Sequence, residues 1–354
     1  MIKFLYTLVI LSIAACGGNA PKNLSEIKIN TSNLSNLSFN DIYQVKKVIP
    51  LETSDESLLG QIISVCYVND HIYIRTGAHS MSCNGYIVFN NEGQFVYKQS
   101  KVGRGPGEYL KISSLHFNGD SIIVANGNKL IYYNTKGELI FENSNMPDKM
   151  YFDMFYVGDG TILANYVRPT VDEGNYFSLQ LFSKTLTFTS IPLFIRNNSS
   201  IYYTPMVRNA IYEYIPKNME LKEIYRIILD NKPVFDVNLI DYTDNWFLDN
   251  HKIWIGSISK ESMLLFIMNP RGVYYAYVNR ESNHVELFSK ENFTDKQNSL
   301  PVSLVASGEE DLISIISYKD LEPLVITDTS TIGYKLKQSM NENSNPAIVI
   351  YKRR

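Results

Sequence analysis

Cysteine is scarce, with three in 354 residues: Cys16, Cys66 and Cys83. None lies in a Cys-x-x-Cys pair, and the five histidines (His71, His79, His116, His251, His284) are scattered. That spacing excludes a zinc-finger or zinc-ribbon site, so no structural metal is expected. Charge of one sign is also lacking. The 33 Lys+Arg against 36 Asp+Glu leave a net charge of -3, which provides no basic field for phosphates and excludes nucleic acid as a partner. There is no Gly-x-Ser-x-Gly nucleophile elbow and no phosphate-binding P-loop, so no cofactor and no catalytic residues are assigned. A bilayer-spanning helix needs roughly 20 apolar residues. The apolar run at the N-terminus, Phe4 to Ala15, is shorter than that.

That run follows Met1-Ile2-Lys3 and ends in Ile13-Ala14-Ala15-Cys16. A charged start, a short apolar stretch and small residues before a cysteine resemble the bacterial lipobox, in which residues 1–15 are removed and Cys16 is acylated. The alternative is a plain secretory signal cut near Ala15. Residues 16–40, rich in Asn, Ser and Gly, then read as a flexible tether. The expectation is an exported lipoprotein held at the cell envelope by its lipid anchor, on the outer membrane with its side undecided. In that compartment Cys66 and Cys83 are able to pair. On non-adjacent strands of one sheet they would stand about 9–10 Å apart, beyond disulfide reach.

What is abundant is aromatic: 25 Tyr and 17 Phe, types that suit pleated, half-buried surfaces. From residue 62 the apolar residues alternate with period two. Ile63, Val65 and Tyr67 precede Asn69-Asp70, Ile72 and Ile74 follow, and Ile87 and Phe89 lead into Asn91-Glu92-Gly93. The pattern returns at Ile122-Ile123-Val124 and at Leu130–Asn134 with Thr135-Lys136-Gly137, and Gly93 and Gly137 are 44 residues apart. Four strands per period of about 40–50 residues is the signature of a β-propeller blade. Further units fall at 151–191, 194–229, 251–289 and from 301 onward, with 230–250 and 317–341 as insertions, the second partly helical. The last unit lacks a fourth strand, which Ile42–Leu51 supplies by pairing with Ala347–Tyr351. The expected fold is all-β: a six-bladed propeller over residues 41–354, monomeric, with the N-terminal strand closing the last blade.

Pro50 to Gly60, the loop Gly103-Arg104-Gly105-Pro106-Gly107-Glu108-Tyr109, the segment Ile211-Tyr212-Glu213-Tyr214 and the ending Asn345–Lys352 resemble the six-bladed β-propeller lipoproteins of Bacteroidota. Gly105–Tyr109 is also similar to the loop that opens NHL repeats, though it occurs once. The resemblance implies the fold, a lipid anchor and an envelope location, and carries over no substrate.

In a propeller the loops between blades and those joining second to third strands share one face. That face receives Arg75, His79, Arg104, Glu108, Tyr109, Arg168, Glu173, Arg208 and Arg271, with Glu52, Asp55 and Glu56 entering the first blade. The arginines Arg75, Arg104, Arg168, Arg208 and Arg271 suit an anion-binding mouth. Against this stands the reading that they pair with carboxylates or are solvated. The function expected is a binding module for an anionic glycan, a peptide or an envelope protein. The alternative is a glycan lyase or hydrolase using carboxylates such as Glu52 and Glu108. The pairs Tyr132-Tyr133, Tyr202-Tyr203 and Tyr274-Tyr275 are assigned to packing rather than to stacking on sugars.

Overall fold

Asn69 and Asp70 adopt φ of 50° and 57°, left-handed positions that Asn and Asp tolerate and that a tight hairpin requires. The alternating residues on either side therefore fold back as antiparallel strands, and the same device recurs along the chain. The computed structural model describes residues 24–354 except 78–82, 119, 127–128, 145–150, 159–160, 167–193, 198–199, 205–208, 216–219, 231–251, 270–271 and 308–310. Strand β1 (Ser25–Ile29), a one-turn helix α1 (Phe39–Ile42) and β2 (Tyr43–Pro50) come first. Two four-stranded units follow: β3 (Gln61–Val68), β4 (His71–Gly77), β5 (Cys83–Asn90) and β6 (Phe95–Gln99), then β7 (Ser114–Asn118), β8 (Ser121–Asn126), β9 (Lys129–Asn134) and β10 (Leu139–Asn143). A hairpin of β11 (Tyr151–Gly158) and β12 (Thr161–Tyr166) precedes β13 (Phe194–Asn197), β14 (Ser200–Tyr203), β15 (Ala210–Ile215) and β16 (Glu220–Leu229). The chain ends with β17 (Lys252–Ile258), β18 (Ser262–Asn269), β19 (Gly272–Asn279), β20 (Val285–Ser289), β21 (Leu304–Ser307), β22 (Leu312–Ile316), helices α2 (Tyr318–Leu321) and α3 (Ile332–Ser339), and β23 (Ala347–Arg353).

The strands pair in sequence order as antiparallel meanders, and first strands of successive units lie side by side, β7 by β11, β13 by β17 and β17 by β21. This is the repeat of a β-propeller. Packing divides the chain into two compact units, one of residues 59–89 and 96–190, the other of 15–58, 90–95 and 191–354. The first is built on Tyr73, Tyr86, Tyr109, Tyr133 and the aliphatic residues of β3, β5, β7, β8 and β9. The second contains an aliphatic cluster spanning β1 and β14–β20, and an aromatic one around Phe39, Tyr43, Phe288, Phe293 and Tyr351.

Two expectations are corrected. Among the described residues five sheets have four or five strands, so five blades are seen rather than the expected six. Residues 151–166 form a two-stranded ladder that no third described strand joins, and the rest of that expected unit lies outside the described residues. The tether is shorter than expected: β1 pairs in parallel with β16, from Ser25↔Tyr225 to Ile29↔Leu229, because Ile27 and Ile29 alternate and bury their side chains completely or nearly so. The folded body therefore starts near residue 24, not 41; residues 1–23, with Cys16, lie outside the described residues. Both members of Tyr202-Tyr203 are buried, so neither ring is open for stacking on a sugar.

The closing strand lies where the residues put it. β2 pairs antiparallel with β23 from Tyr43↔Arg353 to Pro50↔Ala347, in the order β2-β23-β22-β21. The insertion after β22 is partly helical, as α2 and α3. Cys66 stands on β3 and Cys83 opens β5, with β4 between them.

Ile348, fully buried on β23, is the probe for this closure. Its change to alanine should cost about 2–5 kcal/mol. Lys46→Ala should cost no more than about 1 kcal/mol, because the Lys46–Asp311 pair, at 2.6 Å, is half exposed on the lysine side. Urea unfolding of both variants is the measurement, and equal effects would place β23 outside the cooperative core.

Candidate functional site

Each four-stranded meander has two ends, and in the unit of residues 59–89 and 96–190 they differ in character. At one end lie the close of β4 and the loop that leads from β6 to β7. Here stand Arg75, Arg104, Glu108 and Tyr109. Arg75 is turned inward: it is 7% exposed, and its guanidinium Nη1 donates to the Ser113 carbonyl at 2.9 Å, tying β4 to the approach of β7. Arg104 is exposed. Tyr109 is fully buried, and its hydroxyl donates to the Gln99 carbonyl at 3.1 Å.

The glycines of this loop serve close approach more than backbone freedom. Of the three, only Gly107 has positive φ, +69°. A Cβ on Gly103 would lie 2.0 Å from Glu108 Oε2, because that carboxylate folds back over the loop and accepts from Gly105 N at 2.7 Å. Glu52 is used similarly, accepting from Phe95 N at 2.9 Å. Both carboxylates thus brace the backbone of a turn. The loop is docked onto the second meander by Glu142, which accepts from Gly107 N at 2.7 Å and from the Lys129 ammonium at 2.9 Å. The bond from Lys129, with Ser144 and Gly107, holds the Glu142 pKa down at about 2.

At the other end the tight turns meet, and between the two meanders there is an open cleft of about 820 Å³ lined by Asn69, His71, Val96, Tyr97, Asp120, Thr135 and Lys136. This volume lies within the range of small-molecule sites. Asn69 and His71 come from the β3–β4 turn, Val96 and Tyr97 from β6, Asp120 from the β7–β8 turn, and Thr135 and Lys136 from the β9–β10 turn. His71 Nδ1 lies 2.8 Å from the Asn69 carbonyl. The Tyr97 ring passes under Gly137, 3.1 Å from where a Cβ would stand. Its hydroxyl is buried without a hydrogen-bond partner among the described residues, and burial raises its pKa to about 12.

None of the cleft residues was singled out from the sequence as a ligand contact. The residues singled out stand at the opposite end of the strands or elsewhere. Arg168, Arg208, Arg271, His79 and Glu173 lie outside the described residues, as does Cys16. The signal that could have found the cleft was the turn Thr135-Lys136-Gly137, whose first two residues line it. Among the described residues no group of three or more His, Cys, Asp and Glu is arranged to hold a metal.

Sheets and cleft together define an all-β protein of the propeller class. The chain belongs to the family described as domain of unknown function DUF4934, whose sequence profile matches residues 24–352. The crystal structure of a Bacteroides fragilis protein assigned as exported is similar at a TM-score of 0.71, with 16% identity over 93% of this chain and 100% of that one. That likeness shows the fold. The extracellular domain of BT4673 from B. thetaiotaomicron covers 87% of this chain and 40% of its own at 14% identity and TM-score 0.38. Glutaminyl cyclase from Myxococcus xanthus covers 93% and 100% at 7% identity and TM-score 0.33. Neither carries an argument about this chain. No protein of curated function matches it.

Glu142 makes the docking of the loop testable by pH. Folding depresses its pKa, so the stabilisation it gives is complete above the ordinary carboxylate value of about 4.3 and is lost as pH falls toward 2. Glu142→Gln should therefore lower the melting temperature at pH 7, by an amount that shrinks in melts taken between pH 5 and 2. A pH-independent difference would refute the assignment.

Proposed function

We propose that this protein is an exported binding module, anchored to the envelope by acylation of Cys16, whose ligand is a saccharide held in the cleft. The observation that carries the reading is the cleft lining. Asn69, Asp120, Thr135 and Lys136 offer hydrogen-bond donors and acceptors, while Val96 and Tyr97 add an apolar wall. A sugar presents the same mixture of hydroxyls and apolar C–H faces. Export is supported by the residues before Cys16 and by the B. fragilis fold neighbour, itself assigned as exported. Among the described residues no helix is long and apolar enough to cross a membrane, so the lipid would be the attachment. An anionic ligand at the arginine-bearing end remains part of the proposal, with Arg104 as its exposed member.

A glycan array of neutral and anionic oligosaccharides separates the two ends. For a ligand in the cleft, Asp120→Ala and Lys136→Ala should each weaken binding about tenfold, near the 1.5 kcal/mol of one charge-assisted bond, while Arg104→Ala leaves it unchanged. Loss on Arg104→Ala with steep salt dependence would move the site to the loop end and make the ligand an anion. Binding untouched by all three would overturn both.

The anchor is tested separately. Cys16→Ala should shift the protein from the membrane to the soluble fraction, and mass spectrometry of the wild-type N-terminus should show acyl chains. Unchanged membrane retention would defeat acylation.

A further inference from the structure

Strand β1 is an addition to a sheet that is already complete. Strands β13 to β16 form the same four-stranded meander as the other full units, and β1 then lies along the outer edge of β16 as a fifth strand, in parallel rather than in antiparallel order. It arrives from about 200 residues earlier in the chain. The outer strands β6, β10, β20 and β2 carry no such addition among the described residues.

The contacts along this edge form a complete recognition pattern. Five residues pair in register with Tyr225 to Leu229. Ile27 and Ile29 point inward, 0% and 3% exposed, into the cluster of Tyr225, Ile227, Leu229 and Leu287, while Glu26 and Lys28, which alternate with them, are exposed. Beyond the ladder Asp230, at φ 50°, closes the site. Its backbone N–H donates to the Ile29 carbonyl at 2.9 Å. Its two carboxylate oxygens accept from the Thr31 N–H and the Thr31 hydroxyl, both at 2.7 Å. The main-chain ladder gives affinity without regard to sequence, and the alternate pockets with the carboxylate give specificity, which is how strand-addition sites recognise peptides.

We propose that the outer edge of β16 is a strand-acceptor site, filled in cis by residues 25–31 and specific for an extended peptide of the pattern Ile-x-Ile-x-Thr. Removing β1 leaves the ladders of β13–β16 intact, and five parallel pairs form a short, weaker ladder. The segment is thus an exchangeable strand, and its release bares an edge that accepts a peptide of matching pattern. This goes beyond the saccharide reading and lies in the other compact unit, so either can fail without the other.

The probe is a fluorescein-labelled synthetic peptide of residues 24–33, tested on the full mature chain. The double variant Ile27→Asp, Ile29→Asp should vacate the edge and bind the peptide with at least tenfold higher affinity than wild type. The same peptide carrying Asp at Ile27, or Val at Thr31, should lose at least tenfold. A second variant, Lys28→Cys with Ile228→Cys, joins directly paired positions, whose Cα separation in neighbouring strands suits a disulfide. Oxidised, it should exclude the peptide; reduced, it should admit it. A folded double variant that ignores the peptide, or a locked chain that binds it as well as the reduced one, would overturn the proposal. Hydrogen exchange on the unmodified chain adds a reading that needs no substitution. The Ile29 carbonyl's partner, Asp230 N–H, should exchange at least tenfold faster than the amides linking β14 to β15, and equal protection would also overturn it.

Discussion

The pairing of β2 with β23 is the constraint on which the second compact unit depends. It joins residues some 300 positions apart in the chain and sets the register of the segment that follows β2. That segment is then held from several sides. Asn345 Nδ2 donates to the carbonyls of Glu52 and Ser57 at 2.6 and 2.9 Å, Leu51 N donates to the Pro346 carbonyl at 3.2 Å, and Glu52 N donates to the Gly93 carbonyl at 2.8 Å. A one-residue slip would turn every buried side chain of β23 to the opposite face and unmake the three bonds made by Asn345 and Pro346. The approach to Gly93 is close enough that a Cβ there would meet the Pro50 carbonyl oxygen at 2.1 Å, so this turn admits only glycine.

Aromatic side chains complete the same junction. Phe39 stacks on Tyr43 and meets Phe293 and Tyr351 edge-on, with ring centroids 4.9–5.2 Å apart, and Phe293 in turn stacks on Tyr275 at 4.2 Å. Arg280 provides the polar counterpart elsewhere in this unit. Its guanidinium lies over the rings of Tyr202 and Tyr225, and its Nε donates to the Tyr225 hydroxyl at 3.1 Å. The high tyrosine content therefore serves packing between strands and between sheets, where a large ring fills space.

The parts of this architecture that were legible in the sequence are those set by local chemistry. Asn69-Asp70, Gly93 and Gly137 take the left-handed conformations that their residue types suggest, and the alternation between them marks strands correctly. The closing strand was legible too, by counting the strands of the last unit. The parts set by distant partners were not. Ile27 and Ile29 in an Asn- and Ser-rich stretch read as a tether, because nothing nearby announces an edge two hundred residues away. Arg75 read as part of an anion-binding mouth, because its acceptor, the Ser113 carbonyl, has no signature in the side-chain sequence. The cleft escaped for a further reason: it is made by turns whose residues are explained fully by the hairpins they close.

The two longest-range ladders, β1 with β16 and β2 with β23, also dictate when this chain is able to fold. Neither forms until its distant partner has been synthesised, and the second waits for residues 347–353. Loop closure over such distances is paid before any contact rewards it, so the segment from residue 24 to 50 stays extended through most of synthesis. A protein built this way postpones its final structure until residues 43–50 meet residues 347–353. That delay leaves the edges of β16 and β23 exposed to other chains in the interval.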